Sequence, residues 1–219
     1  QAPKEDRDPT DFRHSLPFDF ESYPCRAAKS QEFAKKLFAI RAFKHNLVLI
    51  GEEGTDLASI VHDLAQFDNR KEDSYKLVDH SQLTESFLLE ILNNSASAGV
   101  TCLTLVVPRA ESIGKETEQV LFAAGRSRGA FAELPLSLRF IFFVNDDIDV
   151  LYDNHHIDDD LYMFLGTSEV KVPSIREIRE DIPLIAQRTI NAEIAKQGQK
   201  RNVRLNPAAR AFLKERDWR

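Results

Sequence analysis

The stretch VLIGEEGTDLASIVHDLA, residues 48–65, constrains the fold of this chain more than any other. It opens with an apolar run typical of a buried strand, turns at Gly51 and Gly54, and continues with the spacing of an amphipathic helix. A strand, a glycine-containing turn and a helix in this order form a loop that can hold phosphate groups. Because Leu57 stands where such a loop needs lysine, the stretch predicts a fold but leaves nucleotide binding open.

Apolar runs and helical segments alternate along most of the chain. The runs predict buried strands at 46–50, 75–80, 102–108 and 138–145, and amphipathic segments lie between them. Strands that alternate with helices favour a parallel sheet with both faces covered. The sequence therefore predicts an α/β fold.

The pattern changes after Pro173, where the remaining residues are helical in period. Helix boundaries are indicated by Ser30, Thr84 and Asn206 as candidate N-caps and by Gly198 as a candidate stop. These observations predict three parts, which are a linker or arm at 1–22, an α/β core at 23–172 and a small all-α subdomain at 173–219.

Composition excludes several classes of function. The net charge of −6 argues against wide nonspecific binding to nucleic acid, and no apolar run approaches the roughly 20 residues of a membrane span. The polar N-terminus lacks a signal peptide, and Cys25 and Cys102 are read as reduced thiols, so we expect a cytoplasmic protein. Since the chain starts with Gln and has a single methionine, Met163, we expect a fragment of a longer polypeptide.

Several polar groups invite a functional interpretation that a structural one outweighs. His155 and His156 precede the aspartates 158–160, but such a run is typical of an acidic loop before a helix, where negative charge is favourable. His62 and His80 are isolated, and neither cysteine has a CxxC partner, so no metal site is predicted. The basic stretch 196–204 could contact DNA or acidic partners, but it is read as a solvated loop.

Five segments, in the same order along the chain, carry a family resemblance. The most specific is VPSIREIREDIPLIAQRTI, and the others are LNPAARAFLKERDW, IGEEGT, DDDLYMFL and LPLSLRFIFFVND. Together they resemble the AAA+ domain of the bacterial sigma-54-dependent transcription activators, the NtrC-like family, from about Tyr23 to Trp218. The resemblance implies an AAA+-type, P-loop-like parallel sheet sandwiched by helices, followed by a helical lid that is incomplete at its C-terminus.

The departures from the family fall on the residues that handle ATP. In the phosphate loop, written GESGTGKE in the family, Gly51, Gly54 and Thr55 are retained, whereas Asp56 and Leu57 replace the next glycine and the lysine. Asp56 places a carboxylate where phosphate would lie, and both changes oppose binding. The degenerate nucleotide loop is therefore assigned to Gly51, Glu52, Glu53, Gly54, Thr55, Asp56 and Leu57.

Other family positions have also changed. The acidic pair that holds magnesium at the end of the third strand corresponds to Pro108 and Arg109, and the positions of the arginines that act across the subunit boundary correspond to Asp158 and Phe164. The sensor asparagine is retained as Asn145. The family's GAFTGA loop is missing between 83 and 102, and we regard RGAFAEL at 128–134 as a chance match.

The leading hypothesis is a central domain of a transcription regulator that has kept the AAA+ fold and lost ATP hydrolysis, a pseudo-ATPase without catalytic residues or cofactor. The family implies ATP and Mg²⁺, a sensor segment and a DNA-binding segment elsewhere in the polypeptide, self-association, and no membrane partner. A second hypothesis is a non-standard ATPase that uses Glu52, Glu53 or Glu111 for magnesium. A third is a module that senses a nucleotide or another ligand through Arg109.

Overall fold

The computed structural model describes residues 20–40, 45–67, 75–134, 136–166, 168–198 and 203–218. Its strands are β1 Leu47–Ile50, β2 Tyr75–Leu77, β3 Cys102–Pro108, β4 Ser137–Val144 and β5 Glu169–Lys171. Its helices are α1 Ala28–Ile40, α2 Leu57–Phe67, α3 Glu85–Ser97, α4 Lys115–Gly125, α5 Ile148–Asp153, α6 Asp159–Leu165, α7 Ile182–Lys196 and α8 Pro207–Glu215.

The five strands form one parallel sheet in the order β2-β3-β4-β1-β5. All four residues of β1 are buried, as are residues 103–107 of β3 and 139–144 of β4, so apolar side chains point to both faces. This confirms the predicted α/β fold. Sequence analysis missed β5, because it has three residues and a single buried one, Val170, and such a strand leaves no periodic signal.

Three of the four predicted helix boundaries are confirmed. The Thr84 hydroxyl accepts a hydrogen bond from the Phe87 N–H, and the Asn206 side chain accepts one from the Ala209 N–H at 2.7 Å. At the end of α7, Gly198 has φ = +66°, the left-handed conformation that commonly terminates a helix.

The prediction for Ser30 is wrong, because the helix begins at Ala28 and Ser30 lies inside it. The Ser30 hydroxyl is buried and donates to the Ala27 carbonyl and to the Asp181 carboxylate. Asp181 also accepts hydrogen bonds from the Arg26 and Ala27 N–H groups, the latter at 3.2 Å. A carboxylate distant in sequence therefore does the work that a local cap usually does, and residue spacing around Ser30 cannot reveal it.

The segment 174–198 was expected to be helical throughout, but α7 starts only at Ile182. The residues before it form a single 3₁₀ turn, Ile175–Glu177, which Ser174 and Glu177 close with a reciprocal capping box. Pro183 then occupies the first turn of α7. Proline lacks a donor N–H and clashes with the preceding turn, so it is tolerated there but not in a continuous helix.

The chain divides into two compact units. One comprises residues 36–172 and contains the sheet; the other combines the described parts of residues 1–35 and 173–219. The structure thus groups residues 23–35 with the C-terminal helices, whereas the sequence places them in the core. The predicted arm lies almost entirely outside the described residues, and the predicted domain limits stay a prediction.

The second unit has a small core of its own. Phe20, Phe33 and Ile182 are almost fully buried, and the Tyr23 ring packs edge-on against Phe33 with 5.4 Å between centroids. The Arg188 guanidinium donates to the Phe20 and Glu21 carbonyls and so fixes the chain ahead of α1. Within the described residues, no helix is long and apolar enough to cross a membrane.

Candidate functional site

The candidate site lies at the carboxyl edge of the sheet, where three adjacent strands end. The register pairs Ile50 with Val144 and Pro108 with Phe143, so β1, β4 and β3 finish level with one another. Gly51, Arg109 and Asn145 directly follow these strands. The carboxyl edge is where open α/β sheets bind ligands, and the structure brings three of the predicted positions together there.

The loop after β1 closes on itself. The Thr55 N–H donates to the Glu52 carbonyl at 3.2 Å, and the Thr55 hydroxyl donates to the same oxygen at 2.7 Å. Gly54, at the third position of this turn, has φ = +89°, as a type II turn requires. One N–H that could face a phosphate is therefore already used inside the loop.

Gly51 is favoured by packing. A Cβ atom on this residue would lie 3.0 Å from the Phe143 ring and 3.1 Å from the Val172 Cβ, so both neighbours would have to move by a few tenths of an ångström. Both retained glycines of the loop thus have a structural reason to be glycine, independent of any ligand.

Asp56 caps α2. Its carboxylate accepts hydrogen bonds from the Ser59 N–H at 3.1 Å and from the Ser59 hydroxyl at 2.7 Å. The Leu57 N–H donates to the Thr55 carbonyl at 2.9 Å. The N-terminus of a helix is the place where a P-loop holds phosphate, and in this chain the negative group at that place is its own aspartate. The Leu57 side chain is half-buried.

The two positions that replace the acidic pair have distinct conformations. Pro108 ends β3, and Arg109 adopts the left-handed conformation with φ = 51° and ψ = 51°. The Arg109 guanidinium lies 3.6 Å from the Asp79 carboxylate, and 61% of its side chain is exposed. Hydrogen bonds from Ser81 are the main cause that lowers the pKa of Asp79, with a smaller contribution from Arg109. Arg109 therefore presents an accessible cation at the edge of the sheet.

Glu111 lies two residues after Arg109 and is half-buried. One of its carboxylate oxygens is inaccessible and has no hydrogen-bond partner. Burial raises the pKa of this carboxyl, although Arg109, His80 and His156 act in the opposite direction. Sequence analysis had considered Glu111 as a magnesium ligand; the structure places it on the 3₁₀ turn that follows β3.

Asn145, the sensor-like residue, follows β4 and is exposed at the sheet edge. The next residues are acidic, and Asp147 forms an ion pair with Lys171 at 2.8 Å. The sensor asparagine of the family is thus retained, and Asn145 lies at the same edge of the sheet as Gly51 and Arg109.

Asp158 has a structural role at the start of α6. Its carboxylate accepts from the Leu161 N–H at 2.9 Å, which caps α6, and it also binds the Lys115 ammonium. Lys115 contacts Glu118 as well, at 2.9 Å. The hydrogen bond from Lys115 is the main cause that lowers the pKa of Asp158. The side chain at this predicted arginine-finger position links α4 to α6.

Phe164, at the other such position, is a core residue. It is 8% exposed and packs against Phe122, Phe140 and Phe142, with ring centroids 4.7, 5.9 and 5.8 Å away. Gly125 is needed beside it, since a Cβ there would come within 2.8 Å of the Phe164 ring. An arginine could not replace Phe164 without leaving a buried, unpaired charge.

The histidine-rich loop lines a cleft of about 500 Å³ with Lys115, Glu118 and the nearby aspartates. In the parts of the chain that the structure describes, no group of three or more His, Cys, Asp or Glu side chains is arranged to hold a metal ion. The interval before β3 contains α3 and a turn at Gly99, and Phe131 of the RGAFAEL stretch is fully buried. Phe131 therefore anchors this stretch in the core, whereas the residues on either side of it, 128–130 and 132–133, are exposed.

Comparison with known proteins finds relatives that are longer than this chain and match it over part of their length. No family model matches the chain. The C4-dicarboxylate transport transcriptional regulatory protein DctD of Pseudomonas aeruginosa is 22% identical over 192 residues, which cover 79% of this chain and 42% of the regulator. Among solved structures, NtrX from Brucella abortus matches with a TM-score of 0.66 and 14% identity over 88% of this chain and 47% of NtrX.

This chain has the AAA+ fold. The RuvB Holliday junction branch migration motor of Thermotoga maritima matches it too, with a TM-score of 0.51 and 11% identity over 85% of this chain and 67% of RuvB. The predicted AAA+ fold and the resemblance to the NtrC-like activators are confirmed. The chain spans less than half the length of both DctD and NtrX.

Proposed function

We propose that this chain is a domain of a transcription regulator that keeps the AAA+ fold, does not hydrolyse ATP and acts through contacts with other protein segments. The proposal takes its regulatory context from DctD, a transcriptional regulatory protein, and its architecture from NtrX. The observation that carries it is the Asp56 carboxylate at the N-terminus of α2, bonded to Ser59 where a P-loop would hold phosphate.

The residues present do not fit magnesium–ATP. A triphosphate at α2 would meet the like charge of Asp56, and it would find Leu57 in place of the lysine that neutralises the outer phosphates. At the end of β3, the proline side chain offers no ligand atom and Arg109 repels a divalent cation. The arginine-finger positions hold an aspartate and a buried phenylalanine, and neither stabilises developing negative charge.

Titration calorimetry of the purified chain with ATP, ADP and a non-hydrolysable ATP analogue, with and without Mg²⁺, tests the proposal. NtrX from Brucella abortus has been solved in complex with ATP and serves as the positive control. We expect no binding heat at up to about 1 mM nucleotide, which corresponds to less than about 4 kcal/mol of binding free energy. Micromolar binding of ATP by this chain would refute the loss of the nucleotide site.

A second candidate function rests on Arg109. Its guanidinium is exposed at the carboxyl edge of the sheet, and the ion pair with Asp79 is long at 3.6 Å, so an anionic ligand could displace it. In this case the domain would sense a nucleotide or another small anion without hydrolysing it. Arg109→Ala would then abolish binding, whereas Arg128→Ala, which removes an exposed arginine elsewhere in the same unit, would not.

A third candidate, a non-standard ATPase, requires Glu52, Glu53 or Glu111 to hold magnesium. Glu52 and Glu53 are exposed on the turn, and Glu111 has one buried oxygen without a partner. Phosphate release by a clean preparation that depends on magnesium and disappears in Glu111→Gln would favour this function over the pseudo-ATPase. No phosphate release above that of the boiled protein is the outcome we expect.

The proposed contacts with other protein segments include self-association and flanking segments of the same polypeptide. Light scattering coupled to size exclusion, with and without nucleotide, tests the first. Because we propose no nucleotide binding, we expect the mass in solution to be the same under both conditions. A larger assembly formed only with ATP would contradict the proposal.

A further inference from the structure

A small cleft lies between α7 and α8, within the helical unit. It has a volume of about 260 Å³ and is lined by Gln187, Asn191, Arg204 and Arg210. Among these four residues there are two cations, two amides and no carboxylate. The sequence marked the basic stretch 196–204, but it did not indicate that Arg204 would meet Arg210 and two amides of α7.

Gln187 forms the scaffold of the cleft. Its amide N–H groups donate to the Asn191 side-chain oxygen at 3.0 Å and to the Val203 carbonyl at 2.7 Å. Its side-chain oxygen accepts from the Leu205 N–H at 2.9 Å. Three hydrogen bonds therefore fix the segment ahead of α8 against α7, and they use the hydrogen-bonding groups of this side chain.

The scaffold leaves donors directed to the cleft. Because the Asn191 side-chain oxygen is occupied by Gln187, its Nδ2 group retains two N–H donors with no partner among the described residues. The Arg210 Nε–H donates to the Leu205 carbonyl at 3.2 Å, which ties the side chain down and leaves both terminal nitrogens of the guanidinium available. The Arg204 guanidinium has no ion pair or hydrogen bond with any described residue.

We propose that this cleft binds an oxyanion of the phosphate type, carried by a small molecule. Two guanidinium groups supply positive charge and paired N–H donors in the geometry that suits phosphate oxygens, and the Asn191 amide adds neutral donors. An assembly of donors without a free acceptor is complementary to a group that only accepts hydrogen bonds. The volume lies below the roughly 300–1,000 Å³ of pockets for drug-sized ligands, so it suits a single phosphate group.

The site does not depend on the phosphate loop, which belongs to the other unit. An oxyanion bound here would lie between α7 and the segment that leads into α8, and it would neutralise two cations that the fold leaves near each other. We therefore expect the anion to stabilise the packing of α8 on α7. This function goes beyond the loss of ATP hydrolysis proposed above.

Titration of the purified chain with inorganic phosphate at low ionic strength, followed by calorimetry and by ³¹P NMR, tests the proposal. Arg204→Gln and Arg204→Gln/Arg210→Gln are expected to weaken binding by at least about tenfold. Lys196→Gln/Lys214→Gln removes the same charge from exposed positions outside the cleft and is expected to bind like the wild type. Arg204→Gln should fold normally, because Arg204 has no described contact to lose.

Three results would overturn the proposal. The first is no phosphate binding by the wild type at up to about 10 mM. The second is an equal loss of affinity in the lysine variant, which would indicate diffuse attraction. The third is binding that survives in both arginine variants but disappears in a Gly54→Ala/Asp56→Asn variant of the phosphate loop, which would place the anion there and contradict the pseudo-ATPase as well.

A competition experiment distinguishes a small-molecule phosphate from the phosphate groups of DNA. If the ligand is a small molecule, a phosphate monoester such as glycerol phosphate should compete with inorganic phosphate at the cleft. A short DNA duplex that binds more tightly than either, and that loses affinity to the same extent in the lysine and arginine variants, would overturn the small-molecule assignment.

Discussion

At the scale of single residues, the motif that carries the family resemblance has a structural role in this chain. Asp181 belongs to the stretch REDIPL, is fully buried and receives hydrogen bonds from two backbone N–H groups and the Ser30 hydroxyl. The carboxylate thereby satisfies donors at the start of α1 that have no partner within the helix. Resemblance in this region therefore reports on fold and gives no information about catalysis.

Asp181→Ala should destabilise the chain strongly. The substitution leaves buried N–H donors without partners, at roughly 1–3 kcal/mol each, so we expect the free energy of unfolding to fall by about 3 kcal/mol or more. Urea denaturation followed by circular dichroism measures this. Glu180→Gln, at the exposed neighbouring position, is the control and should change stability by less than about 0.5 kcal/mol. Similar losses in both variants would contradict the role of Asp181.

Glu111 makes stability depend on pH. Its pKa is raised in the folded state, mainly by burial, so ionisation of Glu111 disfavours the fold as pH rises through its ordinary range and above. Glu111→Gln removes that ionisation. We expect the variant to raise Tm at pH 7 and to lose this advantage near pH 4, where the wild-type carboxyl is protonated.

Thermal unfolding between pH 4 and pH 8 checks this expectation. Glu90→Gln, on the exposed face of α3, is the matched control and should show no such dependence. A Tm difference for Glu111→Gln that grows as pH falls would have the wrong sign and would refute the assignment.

At the scale of elements, the sequence predicted the features that long apolar runs determine. The predicted bounds of β1, β3 and β4 are correct to within one residue, because each strand is a largely apolar run that is covered on both faces. The predicted start of α7 was wrong, because the spacing of apolar residues carries no information about the effect of Pro183 on the preceding turn.

The sequence predicted which residues lie at the candidate site, but it did not predict all of the contacts that their side chains make. That Gly51, Arg109 and Asn145 share an edge follows from a parallel sheet. The cap formed by Asp56 had a local signal, since an aspartate directly before the first helical residue is a common N-cap. The environment of Phe164 had none, because its three aromatic neighbours come from α4 and β4 and are distant in sequence.

The aromatic cluster around Phe164 predicts the cost of placing an arginine at this position. Phe164→Arg should lower the free energy of unfolding by roughly 3–5 kcal/mol, because it removes ring packing and buries a charge without a partner. Met163→Arg, at the adjacent position that is 74% exposed, should change it by less than about 0.5 kcal/mol. Chemical denaturation of both variants measures the difference, and a folded Phe164→Arg protein with wild-type stability would show that the cluster is dispensable.

At the scale of the whole molecule, stability should be unevenly distributed. The centre of the sheet is buried on both faces, whereas α8 contains no buried residue and has nine residues, too few for a stable isolated helix. We expect amides of β3 and β4 to exchange with solvent only on global unfolding, and amides of α8 to exchange by local opening.

Native-state hydrogen exchange with increasing denaturant measures this gradient. Saturating phosphate should slow exchange in α8 selectively if the anion stabilises its packing on α7, and the Arg204→Gln/Arg210→Gln variant should not respond. Protection of α8 equal to that of the sheet in the absence of any anion would contradict the expected distribution.

The hydrogen bond from the Arg26 N–H to Asp181 joins residues 155 positions apart. On a ribosome that adds roughly 5–20 residues per second, the donors at the start of α1 wait roughly 8–30 seconds before their acceptor emerges. During that time the sheet of residues 36–172 can form, since it is continuous in the chain. The helical unit is thus completed after the sheet, and the apolar side chains of Phe20 and Phe33 lack their C-terminal packing partners until then.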